Sequence, residues 1–103
     1  MNIGNIMKQA QKMQAEMARV QEELKGEQVE ASAGGGTIKI VMSGDLKVIS
    51  VTVDPSAVDP EEVELLQDMI TAAVNEGIRM AQELAAQKMS AVTGGMSLPG
   101  MGM

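Results

Sequence analysis

The chain has 103 residues, a formal net charge of −6, and no histidine, cysteine or aromatic residue. Its length predicts one domain with a modest aliphatic core, filled in part by 11 methionines. The missing imidazole and thiol groups remove the commonest metal ligands and nucleophiles, so we expect no enzyme activity, metal or cofactor. A polar N-terminus and the lack of a long apolar run predict a cytoplasmic protein that does not span a membrane.

Apolar residues in steps of three and four predict a first helix over residues 2–25, capped by Asn2 or Asn5 and followed by Gly26. The members of this heptad seam are Ile3, Ile6, Ala10, Met13, Met17, Val20 and Leu24. Such a narrow seam predicts packing against another long helix, in the same chain or in a second subunit.

Alternating apolar and polar residues over 27–54 predict three antiparallel strands. The triple glycine 34–36 ends the first strand and can supply turns with positive φ. A two-residue hairpin at Gly44 and Asp45 leads into a third strand over 46–54, whose two faces are both apolar. We therefore expect helices to cover one face and a second subunit the other. The apolar faces of the first two strands are Val29, Ala31, Ala33, Ile38, Ile40 and Met42.

A second long helix is predicted from Asp59 to about Val92. Asp59 suits the cap, Pro60 the first helical position, and Glu62 completes a capping box. The helix carries a second seam at Val63, Leu66, Ile70, Ala73, Gly77, Met80 and Leu84.

Residues 93–103 are rich in Gly and Met, lack periodicity and predict a disordered tail. A single domain over residues 1–92 remains. Its predicted class is α+β: a helix, a three-stranded antiparallel sheet and a long helix, in two layers, forming a homodimer with projecting helical arms.

Motifs along nearly the whole chain carry a family resemblance. They are NIMKQAQKMQ at 5–14, the triple glycine before TIKI at 37–40, the Gly44 hairpin, LQDMITAAVN at 66–75 and the Gly-Met-Pro tail. In this order they make the chain similar to the YbaB/EbfC family of bacterial nucleoid-associated proteins. The resemblance implies the fold above, a tweezer-shaped homodimer, nucleoid localisation, and duplex DNA binding with little sequence preference. It also implies recombination or replication proteins as partners.

Basic residues are concentrated at the start of the chain, where residues 1–21 hold three basic residues and one acidic residue. The remainder holds five basic and thirteen acidic residues. With the resemblance, this segregation predicts phosphate contacts by projecting helices; without aromatic residues, stacking on single strands is excluded. The candidate contacts are Lys8, Lys12 and Arg19, which lie near one line of the first helix, and more weakly Arg79 and Lys88.

Two alternatives remain open. The basic residues can be an ordinary solvated helix face, with Lys12 and Glu16 forming an i,i+4 pair. The two heptad helices and the acidic balance also suit a protein-interaction module or a prefoldin-like chaperone, whose hexamers a size measurement would distinguish from a dimer.

Overall fold

The computed structural model describes residues 2–94. The three strands form one antiparallel sheet in the order β1-β2-β3. This arrangement confirms the predicted α+β class, and the molecule is extended, with a longest dimension of 69 Å. In chain order, the helices and strands are α1 (Ile3–Gly26), β1 (Gln28–Ala33), β2 (Ile38–Ser43), β3 (Val48–Val53) and α2 (Val63–Gly94).

The core lies between α2 and the inner face of β1 and β2. A methyl group added at Gly77 would lie only 3.3 Å from Met42 Cε. Small side chains on α2 thus let the helix approach the sheet closely, so the middle of the second predicted seam packs on strands rather than on another helix. The buried core residues are Ile38, Ile40, Met42, Ala73 and Ala81.

Helix α1 lies within one residue of the predicted span at each end, with Gly26 inside the helix and Glu27 after it. The side chain of Asn2 accepts a hydrogen bond from the Asn5 N–H at 3.4 Å. Only Val20 and Leu24 of its seam are buried, and Ile3 is 71% exposed. The C-terminal quarter of α1 therefore docks on the domain, while the rest projects as an arm.

The hairpin between β2 and β3 is longer than the predicted two residues. The Ser43 N–H donates to Lys47 O at 2.8 Å, and the buried Ser43 hydroxyl accepts the Lys47 N–H at 3.0 Å. Residues 44–46 form the loop, and Leu46 at φ 69° takes the left-handed position typical of three-residue hairpins. Strand β3 consequently begins at Val48 and not at residue 46.

The predicted start of α2 is also wrong. The Asp59 carboxylate accepts the Glu61 N–H at 3.0 Å, which closes a tight turn instead of capping a helix. The first helical turn instead uses Glu62 O, which accepts the Leu66 N–H at 3.2 Å, so α2 begins at Val63. The triple glycine behaves as predicted, with φ of 62°, 67° and 93°. Of the predicted tail, residues 93 and 94 end α2, and residues 95–103 lie outside the described residues.

Strand β3 is an exposed edge. Val48 and Val51 pair with the buried Met42 and Ile40, so they lie on the α2 side of the sheet, yet each is 50% exposed. Helix α2 lies against β1 and β2. A helix about 10 Å wide covers two strands spaced about 4.8 Å apart, which leaves the third uncovered. The chain's own helices therefore do not cover Val48 and Val51 as predicted, and cover of β3 by a second subunit stays a prediction.

The contact between α1 and the hairpin gives a stability prediction. The Gly44 N–H donates to Glu27 O at 3.0 Å, and a methyl group at Gly44 would lie 2.6 Å from the backbone oxygen of Leu24. We expect Gly44→Ala to lower the free energy of unfolding by about 1–3 kcal/mol, measured by urea denaturation, because the end of α1 must move away.

Gly26→Ala is the matched control, since a methyl group there meets no atom within 4 Å. Its free energy of unfolding should stay within about 0.5 kcal/mol of the parent. Equal effects of the two substitutions would contradict the close packing at Gly44.

Candidate nucleic-acid interface

A cleft of about 500 Å³ separates the α1 arm from the C-terminal turns of α2. It brings together three of the five candidate residues, Lys12, Arg19 and Lys88. Lys8 lies one turn farther out along the arm. The apolar floor of the cleft consists of Met13, Val20, Ala91 and Val92, with Gln9, Glu16 and Glu23 completing its wall.

Lys8 and Lys12 are exposed, and neither forms an ion pair with any residue in the range 2–94. They are four residues apart, so their backbones are separated by about 6 Å along the helix axis. The i,i+4 pair between Lys12 and Glu16 is not formed, because the Glu16 carboxylate instead contacts Arg19 at 2.7 Å. These two ammonium groups are thus available to an anion from outside the chain.

Arg19 is held between two carboxylates of its own helix. Its guanidinium lies 2.7 Å from Glu16 and 2.5 Å from Glu23. The hydrogen bond from Arg19 to Glu16, followed by the charges of both glutamates, raises the pKa of Arg19. Its positive charge is therefore locally balanced, unlike the charges of the two lysines.

Arg79 lies outside the cleft and borders a smaller cavity of about 210 Å³ beside Val29. Its guanidinium contacts Glu76 at 2.6 Å and Glu83 at 2.8 Å. The hydrogen bond between Arg79 and Glu76 raises the pKa of Arg79 and lowers the pKa of Glu76. The structure therefore does not bring Arg79 together with the basic residues of the arm.

Lys88 joins the two helices. Its ammonium group lies 3.4 Å from Glu23 on α1 and 3.2 Å from Glu27, the residue that follows α1. Hydrogen bonds to Glu27 and then Glu23 raise the pKa of Lys88, and the Lys88 bond is the main cause that lowers the pKa of Glu23. Among the residues described, these are the ion pairs that connect different elements.

Sequence reasoning missed the carboxylates that balance these cations. The spacing of Glu16, Arg19 and Glu23 is i,i+3 and i,i+4, and this signal alone could have found the pairs within α1. The pair between Lys88 and Glu23 spans 65 residues and required the tertiary structure.

Over residues 2–94, no group of three or more acidic side chains is arranged to hold a metal ion. In the same range, no helix combines the length and apolarity needed to cross a bilayer. The arrangement offers charged helical surfaces and exposed apolar residues, which suit the binding of a macromolecule.

The family model described as the YbaB/EbfC DNA-binding family matches residues 1–96. The chain belongs to this family. A nucleoid-associated protein of Alkaliphilus metalliredigens is 53% identical over 100 residues, covering 97% of this chain and 88% of the relative. Another, from Pelotomaculum thermopropionicum, is 49% identical over 100 residues, covering 97% of this chain and 95% of the relative.

A solved structure has the same fold. The crystal structure of uncharacterized protein HP0035 from Helicobacter pylori superposes with a TM-score of 0.74 at 21% identity, covering 84% of this chain and 91% of that protein. At this identity the likeness concerns the fold alone. Membership in a DNA-binding, nucleoid-associated family confirms the predicted family and the prediction that it is not an enzyme family.

Proposed function

We propose that the chain acts as a homodimer that binds duplex DNA through its phosphates with weak sequence preference, in nucleoid organisation or gene expression. The observation that carries this proposal is the state of Lys8 and Lys12: two neighbouring cations on an exposed arm, without carboxylate partners in residues 2–94. Family membership supplies the DNA-binding class.

Phosphate contact is the mode that these side chains support. Lysine ammonium groups bind phosphates as point charges and carry no direct sequence information. The chain has no aromatic residue to stack on unpaired bases. Binding that is driven by the release of counterions from DNA should therefore weaken steeply as the salt concentration rises.

Arg79 and Lys88 remain predicted contacts of smaller weight, and the ion pairs of Arg19, first grouped with Lys8 and Lys12, now place it with Arg79 and Lys88. Each is already paired with two carboxylates, which a phosphate would have to displace. Their neighbouring glutamates would also repel the DNA backbone. Lys8 and Lys12 have no carboxylate partner in the described range, and Glu16, one turn from Lys12, is itself paired with Arg19.

Exposed apolar surface supports the homodimer. Val48 and Val51 present half of their surface on an edge strand whose outer backbone groups have no strand partner in the described chain. Ile3 and Ile6 are further exposed apolar residues, on the arm. A second copy would cover residues of this kind and would present the basic stripe twice.

The same apolar arm favours one second candidate function, a protein-interaction module or prefoldin-like adaptor. In that case the arm would hold a protein segment between the helices, and recombination or replication proteins are the predicted class of partner. A hexamer in solution would favour this alternative over the dimer.

The double substitution Lys8→Ala with Lys12→Ala tests the proposed contact. We expect it to weaken duplex binding to a similar degree on unrelated sequences. It should also reduce the slope of log affinity against log salt by about 1 for each phosphate that the variant no longer neutralises. Fluorescence anisotropy titrations at several salt concentrations measure both quantities.

Lys39→Ala with Lys47→Ala is the matched control, because it removes the same charge from two other exposed lysines that lack ion pairs in the described range. Its salt slope should equal that of the parent. Binding that does not depend on salt, or an equal weakening in both double variants, would reject the proposed contact.

The proposed dimer predicts a mass of about 22 kDa, twice the 10.8 kDa of the chain, in sedimentation equilibrium. Val51→Glu should shift the equilibrium toward the monomer, because it places a charge on the uncovered apolar face of β3. Thr52→Glu, on the opposite face of the same strand, should leave the mass unchanged. A monomeric parent protein would overturn the proposal of a homodimer.

A further inference from the structure

We infer that Lys88 is a positioning residue: its ion pairs to Glu23 and Glu27 fix the direction of the α1 arm and thereby the placement of Lys8 and Lys12. The part of this inference that concerns DNA binding rests on the proposed function. Its structural consequence, the fixed direction of the arm, can be measured without DNA.

The contacts place Lys88 at the base of the arm. Glu23 and Glu27 lie one turn apart, on either side of the buried Leu24. Lys88 Nζ approaches both, at 3.4 Å and 3.2 Å, so one ammonium group from α2 joins two points along α1. These two points restrain tilt and rotation of α1 in addition to the apolar contact at Leu24 and the hydrogen bond from the Gly44 N–H to Glu27 O.

Little else in the described chain restrains the arm beyond this point. Val20 is the last buried residue toward the N-terminus of α1, and the residues from Ile3 to Arg19 are exposed or half-buried. Beyond Val20, α1 and α2 are separated by the cleft that Met13 and Val92 line. The direction of the arm therefore depends on the contacts around Val20, Leu24, Gly44 and Lys88.

The length of the arm amplifies a small change at its base. From Glu23 to Lys8 is 15 residues, or about 22 Å of helix. A tilt of about 10° at Glu23 displaces Lys8 by about 4 Å, which exceeds the axial spacing of about 3.4 Å between phosphates of one DNA strand. Removal of the Lys88 ion pairs would thus misplace the arm lysines without removing their charge.

The surroundings of Lys88 differ from those of Lys8 and Lys12, which have no ion pair in the described range. Its side chain is 25% exposed, and both of its carboxylate partners come from the arm side. Lys25 offers a comparison, because it forms an exposed ion pair with Glu22 inside α1 and joins no second element.

The first experiment measures the arm directly. The chain lacks cysteine, so spin labels at Gln11→Cys on the arm and Ala86→Cys on α2 are the sole labels. With labelled protein diluted in unlabelled protein, electron–electron double resonance reports the distance within one chain. We expect a narrow distribution in the parent and broader ones after Lys88→Met or Glu27→Gln.

Two variants serve as controls in this measurement. Lys88→Arg keeps the cation and should keep the narrow distribution. Lys25→Met removes the same charge and one ion pair within α1 but breaks no ion pair between α1 and α2, and should also leave the distribution narrow. An unchanged distribution in both Lys88→Met and Glu27→Gln would overturn the inference, whatever the protein does with DNA.

The second experiment measures duplex binding. A positioning role and a direct phosphate contact predict opposite effects of Glu27→Gln on the affinity. A positioning role predicts that Lys88→Met and Glu27→Gln each weaken duplex binding by about 3-fold, with the parental salt slope and no additional weakening in the double variant. A direct contact predicts a lower slope for Lys88→Met and tighter binding for Glu27→Gln, which removes a negative charge. The latter result would overturn the positioning role.

Failure of the two proposals can be told apart. If the parent does not bind duplex DNA but the distance distributions broaden as expected, the proposed function fails and the role of Lys88 in positioning the arm stands. If the parent binds DNA and the distributions do not change, the role of Lys88 in positioning the arm fails and the proposed function stands.

Discussion

The close packing of α2 on the sheet is the constraint on which the rest of the structure depends. Without aromatic side chains, the core must be made by bringing backbones together, and the stripe of Ala73, Gly77 and Ala81 allows this against Ile40 and its neighbours. Because α2 packs against β1 and β2, it leaves β3 uncovered. Its last turns run beyond the sheet, where they meet α1 and form the cleft. The exposed edge and the projecting arm are both consequences of this one contact.

Period-two and heptad patterns were enough to predict the elements, because they report which residues face a core. Val29, Ala31 and Ala33 face the core, as the alternation predicted. The ends of the elements were harder to predict, because single hydrogen bonds decide them. The bond between Ser43 and Lys47 lengthens the hairpin, and the turn at Asp59 moves the start of α2 to Val63. These bonds compete with equally plausible caps and turns, and nothing in the hydrophobic pattern distinguishes them.

The candidate site shows the same division between local and distant information. The sequence located the lysines of the arm, and it contains the spacing that brings Arg19 near two glutamates, although this signal was missed. It could not predict that Lys88 would meet Glu23, because that contact depends on how far α2 runs past the sheet and on which face α1 turns toward it. A heptad seam likewise predicts that a helix needs a partner but not which one, and most of the α1 seam finds none within the described chain.

A net charge of −6 does not prevent an acidic chain from attracting DNA when its charges are separated. The acidic start of α2 is one end of a helix that spans about 42 Å from Glu64 to Val92, and the cleft that Lys12 lines lies at its other end. At physiological salt the field of an exposed charge is screened within about 8 Å, so a phosphate at the arm experiences the nearby lysines and not the distant glutamates. At an ionic strength of about 0.01 M the screening length approaches 30 Å, and the acidic end begins to oppose binding. The salt that would weaken each proposed phosphate contact therefore also screens the acidic surface, and the elongated shape of the molecule keeps the two regions of charge apart.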